Sequence, residues 1–107
     1  MLPKKNRVSK KEVDLIFKQG KIITSPNLTF KYLKNQNKGI KISFIVPKNA
    51  AKLAVKRNLL RRRGYAALQN HLDQFPAGLM GVFIFKKRQE NISIIEDEIK
   101  AILTKIN

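Results

Sequence analysis

The chain has 107 residues, of which 43% are hydrophobic, and 23 Lys and Arg against 7 Asp and Glu give a formal net charge of +16. This length predicts a single domain spanning residues 1–107, and the hydrophobic share excludes a disordered basic tail. The absence of cysteine excludes a disulfide framework and any site that needs a thiolate.

Positive charge is concentrated in the middle of the chain, where no acidic residue falls between Asp14 and Asp73. Repulsion among these cations disfavours the folded state unless a polyanion binds. Nucleic acid fits best, because each phosphate that is neutralised releases condensed counterions. An acidic membrane fits less well, since the apolar residues form strand-like segments. No run reaches the roughly 20 apolar residues of a membrane span, so we expect a cytoplasmic protein.

The N-terminal part of the chain predicts a helix and a short strand. Ser9 followed by Glu12 is a capping-box pattern. It opens a helix that is predicted to run through Gln19 and to end at Gly20. A short strand is predicted over 22–24.

Two segments with alternating hydrophobicity follow. Residues 28–33 place Phe30 and Tyr32 on one face, and residues 40–46 repeat the pattern with four apolar side chains on one face. A polar, turn-like stretch over 35–39 connects them. We therefore expect the two strands to pair as an antiparallel hairpin.

A basic segment over 48–63, KNAAKLAVKRNLLRRR, contains seven Lys or Arg and no acid. Its good helix formers predict a helix that starts with Asn49 as the N-cap and extends to about His71. On an ideal helix, one arc is cationic and holds Lys48, Lys52, Lys56 and Arg63. A second arc is apolar and holds Leu53, Leu60, Ala67 and His71. A solvated helix face with no ligand is the alternative explanation of the cationic arc.

The C-terminal part predicts a strand and a helix. Residues 81–85 are apolar on both faces, as expected for a strand at the centre of a sheet. A last helix is predicted from Asn91 or Ser93, with Glu96, Asp97 and Glu98 in its first turn, where carboxylates suit the helix dipole. The element order is α–β–β–β–α–β–α. We therefore expect an α+β fold in which helices pack on a single, mostly four-stranded sheet.

The residues predict a binding surface rather than a catalytic site. His71 is the only histidine, and a single histidine beside apolar residues is more often packed than catalytic. The carboxylates lie towards the two ends of the chain, and no set of His, Cys or Asp has the spacing of a metal site. We therefore assign no catalytic and no metal-binding residue.

Three aromatic residues add a second clue to the type of ligand. Phe17, Phe30 and Tyr32 could all point to one face of the sheet, beside the basic segment. Single-stranded nucleic acid is held in this way, with bases stacked on aromatic rings and cations along the backbone. Burial of the three rings in the core is the alternative.

Four segments of the chain resemble the protein subunit of bacterial ribonuclease P. They are KKNRV at 4–8, DLIFKQGK at 14–21, IKISFIV at 40–46, and AVKRN at 54–58 followed by LLRRR. They follow the family's order over nearly the whole chain, and the last resembles the family's Arg-Asn-Arg motif. The resemblance implies an α/β fold with a left-handed β–α–β crossover, an exception to the usual handedness.

The resemblance also implies a function. Members of the family bind the catalytic RNA of ribonuclease P and help it to process the 5′ end of precursor tRNA. The RNA hydrolyses the phosphodiester bond with bound Mg²⁺, so no cofactor is expected on the protein alone. The 5′ leader of the substrate lies in a cleft between the first helix and the sheet. The implied partners are ribonuclease P RNA and precursor tRNA, and the protein is expected to be monomeric apart from RNA.

The charge pattern, the aromatics and the resemblance together give two sets of site residues. The RNA-binding set is Lys48, Lys52, Lys56, Arg57, Asn58, Arg61, Arg62 and Arg63. The leader-binding set is Phe17, Phe30 and Tyr32. Phe17 matches the aromatic residue of the family's first helix, and Tyr32 lies on the strand that floors the cleft.

Four residues depart from the family pattern. Leu59 stands in place of the second arginine of the motif, and Tyr65 replaces a usual basic residue. Gly64 interrupts the helix at a cost of about 1 kcal/mol, and Val13 replaces an aromatic residue. The charge and the aromatics fit a ribosome-associated or general RNA-binding protein on the same fold equally well, and only the order of the motifs separates the two functions. A stand-alone nuclease has almost no support from the residues.

Overall fold

The computed structural model describes residues 6–34 and 39–106. Its elements in chain order are α1 (Lys10–Gln19), β1 (Lys21–Thr24), β2 (Leu28–Lys34), β3 (Lys41–Ile45), α2 (Ala54–Leu68), a 3-10 helix (Gln69–Gln74), β4 (Leu79–Phe85) and α3 (Ile92–Ile106). The predicted order of helices and strands is confirmed. Most of the turn predicted over 35–39 lies outside the described residues, as do the first two residues of the KKNRV segment.

Helix α1 begins and ends where the sequence predicts. Ser9 Oγ accepts a hydrogen bond from the Glu12 N–H at 3.3 Å, and Glu12 Oε1 accepts one from the Ser9 N–H at 2.9 Å. This is the predicted capping box. Gly20 ends the helix in an extended conformation, and its N–H donates to the Ile16 carbonyl.

The sheet has the strand order β1-β2-β4-β3. β2 pairs antiparallel with β1 and β4, whereas β3 pairs in parallel with β4. The predicted hairpin between the strands at 28–33 and 40–46 is therefore wrong. β4 is inserted between them because every residue of this strand except Ile84 is buried. A strand of this kind needs neighbours at both edges and cover on both faces.

The connection from β3 through α2 to β4 is left-handed. The Phe44 side chain faces α2, whereas its backbone N–H points to the outer edge of β3 and donates to Tyr65 Oη at 3.2 Å. When a strand of L-residues runs upward and a side chain points at the viewer, the N–H of that residue points to the right. β4 therefore lies to the left of β3 when seen from α2. This is the unusual hand that the family resemblance implies.

The two faces of the sheet are covered unequally. α2 and α3 cover one face, the packed face, where Phe30 and Phe83 are completely buried. Among the described helices, only α1 crosses the other face, the open face, where Ile16 is buried against Val82. Several side chains on the open face are only half-buried, namely Thr29, Lys31, Ser43, Ile45 and Ile84. The open face therefore contains an uncovered surface beside α1.

Helix α2 is shorter than predicted at both ends. Asn49 does not cap it, because Leu53 occupies the N-cap position and makes no side-chain bond there. The preceding chain forms a turn in which the Ala50 N–H donates to the Pro47 carbonyl at 3.0 Å. Ala50 and Ala51 are buried in the core, and this burial outweighs the helix propensity of the segment.

The predicted cationic and apolar arcs of this helix are consequently incomplete. Lys48 and Lys52 precede α2 and do not continue its cationic arc. Leu53 is 64% exposed, so it is not part of an apolar stripe. His71 lies on the 3-10 helix that follows α2, where it is buried, and its Nε2 is 2.7 Å from Glu96 Oε2.

The carboxylates near the start of α3 have other roles than the predicted one. Asn91 Oδ1 caps the helix, and neither Glu96 nor Glu98 lies in its first turn. The assignment of these residues to the helix dipole is therefore wrong. Glu98 is buried and accepts hydrogen bonds from the Asn27 N–H at 2.8 Å and from the Ser25 hydroxyl. These bonds hold the turn between β1 and β2 against α3.

Gly64 and Tyr65, which depart from the family pattern, pack α2 onto β3. α2 runs through Gly64 without interruption. A Cβ at this position would lie 2.6 Å from carbons of the Phe44 ring, which is closer than packed atoms approach. Tyr65 is 4% exposed, and its ring centroid is 5.1 Å from that of Phe44. Both residues therefore belong to the core.

We expect Gly64→Ala to destabilise the fold, although alanine favours a helix over glycine by about 1 kcal/mol. The added methyl group would overlap the Phe44 ring, and overpacking of this kind costs about 1–3 kcal/mol. Urea denaturation measures the change in the free energy of unfolding. Ala66 is exposed on the same helix, so Ala66→Gly should cost about 1 kcal/mol through propensity alone. A Gly64→Ala protein that is more stable than wild type would contradict the close contact.

Candidate RNA interface

Arg57 holds the beginning of α2 in place. Its Nη1 donates to the Ala51 carbonyl at 3.1 Å and to the Lys52 carbonyl at 2.7 Å. These bonds satisfy two acceptors in the irregular segment that precedes the helix. One edge of the guanidinium is used in this way, and the half-buried side chain keeps further donors. Arg57 therefore has a structural role in addition to the predicted contact with RNA.

Asn58, Arg61 and Arg62 form the accessible part of the predicted motif. Arg61 Nη1 donates to Asn58 Oδ1 at 2.7 Å, which orients both side chains. Arg62 is exposed and makes no hydrogen bond to a described residue. The three residues are neighbours on the helix surface because they are three and four positions apart. No carboxylate among the described residues pairs with the two arginines, so their charges are not neutralised and their remaining donors can contact phosphates.

Lys56 and Arg63 lie on a different flank of α2. Arg63 Nη1 donates to the Glu90 carbonyl at 2.6 Å, and Arg88 Nη2 lies 2.8 Å from Glu90 Oε1. The hydrogen bond and charge of Arg88 lower the pKa of the Glu90 carboxyl, with smaller effects from Arg63 and Lys56. Part of the charge on this flank therefore holds the loop that precedes α3.

Lys48 and Lys52 are exposed in the irregular segment before α2. Lys52 lies with Lys56 and Arg88 in a shallow groove at the start of the helix. Leu59 is half-buried and places no charge on α2. The predicted RNA-binding residues therefore divide between two surfaces, the motif and this flank, instead of forming one stripe.

Helix α1 forms the wall of a cleft on the open face. Glu12 Oε2 accepts a hydrogen bond from Lys41 Nζ at 3.1 Å, which ties the helix to the start of β3. Burial raises the pKa of Glu12, but hydrogen bonds from Ser9 and the charge of Lys41 outweigh this effect and lower it overall. Ile16 anchors the second turn of the helix against β4. The wall is thus fixed at two points.

A groove of about 630 Å³ forms the end of the cleft next to β3 and α2. Its lining includes both apolar and cationic side chains, namely Arg7, Val8, Lys10, Val13, Ile45 and Arg61. Arg7 Nε is buried there without a hydrogen-bond partner among the described residues. Arg61 also belongs to the motif on α2, so the groove is continuous with the predicted RNA-binding residues.

Phe17 and Lys31 form the opposite end of the cleft. Phe17 is 46% exposed on α1, and Lys31 Nζ lies 4.5 Å from the centroid of its ring. This is the geometry of a cation–π contact. Ile22 of β1 lies opposite Lys31 in the sheet and is also exposed. This end of the cleft therefore offers one aromatic ring, one cation and one aliphatic side chain.

Phe30 and Tyr32 lie on the packed face, and the prediction that they share a face with Phe17 is wrong. Phe30 is completely buried, with its ring centroid 4.3 Å from that of Phe83, so no base can reach it. Tyr32 is half-buried on the same side and stacks on Phe30 at 5.4 Å. Because side chains alternate along a strand, it is Lys31 between them that faces the cleft.

Four cations of the cleft are absent from the predicted sets, namely Arg7, Lys10, Lys31 and Lys41. The alternation of β2 already separates Lys31 from Phe30 and Tyr32. The sequence does not indicate which face of this strand α1 crosses, and that choice decides which side chains line the cleft. No sequence pattern distinguishes Arg7 and Lys10 from the many other cations of the chain, so the sequence does not indicate that they line the cleft.

In residues 6–34 and 39–106, no three His, Cys, Asp or Glu side chains form a group that could hold a metal ion. None of the helices in these ranges has the length and apolar character needed to cross a membrane.

Comparison with known proteins gives a family and a fold. A family model described as Ribonuclease P matches residues 2–107. The chain is similar to the RNase P protein of Staphylococcus aureus, with a TM-score of 0.81 and 16% identity over 95% of each chain. It is also similar to the RNase P protein from Thermotoga maritima, with a TM-score of 0.83 and 20% identity over 94% of this chain and 97% of that chain. No curated protein sequence matches the chain.

We expect Arg62→Ala to weaken binding of a labelled single-stranded RNA without changing the free energy of unfolding. Loss of one phosphate contact should reduce the slope of log K against log salt by about 0.7. Arg57→Ala should reduce the slope as well, and should destabilise the fold by about 1 kcal/mol because it leaves two carbonyls unpaired. Salt-dependent titrations and urea denaturation measure both quantities. Equal stability of the two variants would argue against the structural role of Arg57.

We expect Glu12→Gln to destabilise the protein in a pH-dependent manner. The pKa of Glu12 is lower in the folded state than its usual value, so its ionised form contributes stability above the usual pKa. That contribution is lost as the pH falls through the lowered pKa. The difference in unfolding free energy between wild type and variant should therefore be largest at neutral pH and should decrease as the pH falls below the usual pKa of a glutamate and through the lowered pKa of Glu12. A difference that is independent of pH would contradict the pairing with Lys41.

Proposed function

The chain belongs to the ribonuclease P protein family and is the protein subunit of this tRNA-processing enzyme, and we propose that two of its surfaces bind different RNA molecules. The motif surface, Asn58, Arg61 and Arg62 with the free donors of Arg57, binds the catalytic RNA. The cleft between α1 and the open face holds the 5′ leader of precursor tRNA. The observation that carries this assignment is the continuity of the two surfaces at Arg61.

The motif surface suits structured RNA. Its donors come from side chains on one rigid helix, and the hydrogen bond between Arg61 and Asn58 orients two of them before RNA binds. Backbone phosphates of a folded RNA occupy fixed positions, so a rigid set of cations can match them. Phosphate contacts of this type position a protein on RNA and do not read its sequence.

The cleft suits a single strand. Its floor is a sheet face on which Ser43, Ile45 and Ile84 are half-buried, and its wall carries the exposed ring of Phe17. Unpaired bases can stack on such a ring, whereas bases in a duplex cannot. Cations stand at both ends of the cleft, Arg61 at one and Lys31 at the other. A leader that leaves the RNA-bound tRNA can therefore follow the cleft across the sheet.

We infer that the hydrolysis is performed by the RNA with Mg²⁺ that the RNA holds. The carboxylates nearest to the cleft and the single histidine are used in the fold: Glu12 pairs with Lys41, and His71 contacts Glu96 away from the cleft. The protein would add cations that offset phosphate repulsion between enzyme RNA and substrate. This should lower the Mg²⁺ concentration that the reaction requires.

We also infer that the protein acts as a monomer apart from RNA and works in the cytoplasm, with precursor tRNA. A formal charge of +16 opposes contact between two copies. RNA removes this repulsion, so assembly with RNA is favoured over assembly with itself.

The experiment that tests this function is cleavage of precursor tRNA by ribonuclease P RNA at limiting Mg²⁺, with and without the protein. We expect the protein to raise the rate and to leave the 5′ end of the product correct. RNA binding without any gain in cleavage would indicate a general RNA-binding protein on the same fold.

A substitution in the cleft tests the leader site independently of the motif surface. Phe17→Ala should reduce the affinity gained from the leader by about tenfold, because a stacked base is worth about 1–3 kcal/mol. The measurement is the ratio of affinities for precursor tRNA and mature tRNA in the complex with RNA. Leu15 is exposed on the opposite side of α1, so Leu15→Ala should leave the ratio unchanged. Equal losses for both variants would contradict a leader site at Phe17.

A further inference from the structure

We propose that Lys31 forms a binding site for one phosphodiester group of the leader, beside the base that stacks on Phe17. The proposal rests on the proposed leader cleft and identifies the chemical group that one end of this cleft binds. Lys31 lies in the middle of β2 and faces the open side of the sheet, where Ile22 and Val82 are its cross-strand neighbours.

The position of the ammonium group is set by Phe17. Lys31 Nζ lies 4.5 Å from the ring centroid, so the ring holds the cation at the surface of the cleft. An ammonium group has three N–H donors. It can therefore keep its contact with the ring and donate at the same time to a phosphate oxygen. Phe17 and Lys31 would thus bind adjacent parts of one nucleotide, its base and its phosphate.

The charge of Lys31 is not neutralised within the described part of the chain. Lys41 stands on the same face of the sheet but is paired with Glu12 at 3.1 Å. Lys31 forms no ion pair with a described carboxylate. Because its side chain is half-buried, the charge is less screened than one in open solvent. An anion that enters this end of the cleft therefore meets an uncompensated cation.

This arrangement predicts how the leader is recognised. Phe17 is the only described aromatic side chain with substantial exposure on the open face; Phe44 and Tyr65, which border the other end of the cleft, are 3% and 4% exposed. One base can stack, and a stacked base is poorly distinguished from others. The contact at Lys31 is made to a phosphate that every nucleotide carries. The cleft should therefore bind leaders of different sequence with similar affinity.

The test combines Lys31→Met with a scan of the leader in which one phosphate at a time is replaced by a neutral methylphosphonate. The readout is the affinity of the assembled ribonucleoprotein for precursor tRNA relative to mature tRNA. We expect Lys31→Met to reduce this ratio by about tenfold, because it removes one charge-assisted hydrogen bond to a phosphate. In the wild-type complex, one methylphosphonate position should cause the same loss. In the Lys31→Met complex, that position should cause no further loss.

Two control variants separate this site from general effects of charge. Lys21 is exposed on β1 and faces the opposite side of the sheet, so Lys21→Met removes the same charge and should leave the ratio unchanged. Lys31→Arg keeps the charge and should retain most of the affinity. If every methylphosphonate position causes the same loss of affinity in the Lys31→Met complex as in the wild-type complex, the Lys31 site is overturned, whereas the proposed cleft is not. A leader that adds no affinity in wild type would overturn the cleft and the site together.

Discussion

The central position of β4 is the constraint on which the other features of the structure depend. The strand is buried along nearly its whole length, so it needs partners at both edges and cover on both faces. The chain meets the first need by passing from β3 through α2, so that β4 returns parallel to β3 and pairs with β2 at its other edge. It meets the second with two unequal covers. Helix α1 crosses the strands and covers a band only about 10 Å wide, whereas a seven-residue strand such as β4 extends about 23 Å. The cleft is the part of the open face beside this band.

The electrostatic design follows from the same architecture. Three of the described glutamates are used at joints between elements: Glu12 ties α1 to β3, Glu98 ties α3 to the turn between β1 and β2, and Glu90 holds the loop before α3. Few acids are left to neutralise the surfaces of α2 and the cleft. Repulsion among the cations of these surfaces lowers the stability of the free protein and is relieved when phosphates bind. Stability and RNA binding are therefore linked, since the cations that oppose folding are those that RNA neutralises.

Local features of the fold could be predicted from the sequence, whereas long-range pairing could not. The Ser9 and Glu12 cap fixed the start of α1, and the apolar run of β4 indicated a central strand. The error at Asn49 arose because burial of Ala50 and Ala51 outweighs helix propensity, and a single sequence does not show that burial. The predicted hairpin failed because β4, more than 30 residues away, takes the place between β2 and β3. The unknown sheet order also explains why Phe30 was placed in the candidate site. The alternation of side chains along β2 was clear from the sequence, but the face of β2 that α1 crosses depends on the order of the strands in the sheet.

The departures from the family motif have different physical meanings in this structure. Binding by counterion release adds a similar contribution for each phosphate contact. Loss of one cation at Leu59 therefore removes about one such contribution and leaves those of Arg61 and Arg62. Gly64 and Tyr65 act instead through packing. Gly64 lets α2 approach the Phe44 ring, and Tyr65 Oη accepts a hydrogen bond from the Phe44 N–H at the edge of β3. A single methyl group at Gly64 would separate the helix from the sheet. Substitutions on the motif surface that add or remove one charge should therefore change RNA affinity in small steps. The contact between Gly64 and Phe44, which orients this surface, allows almost no larger side chain.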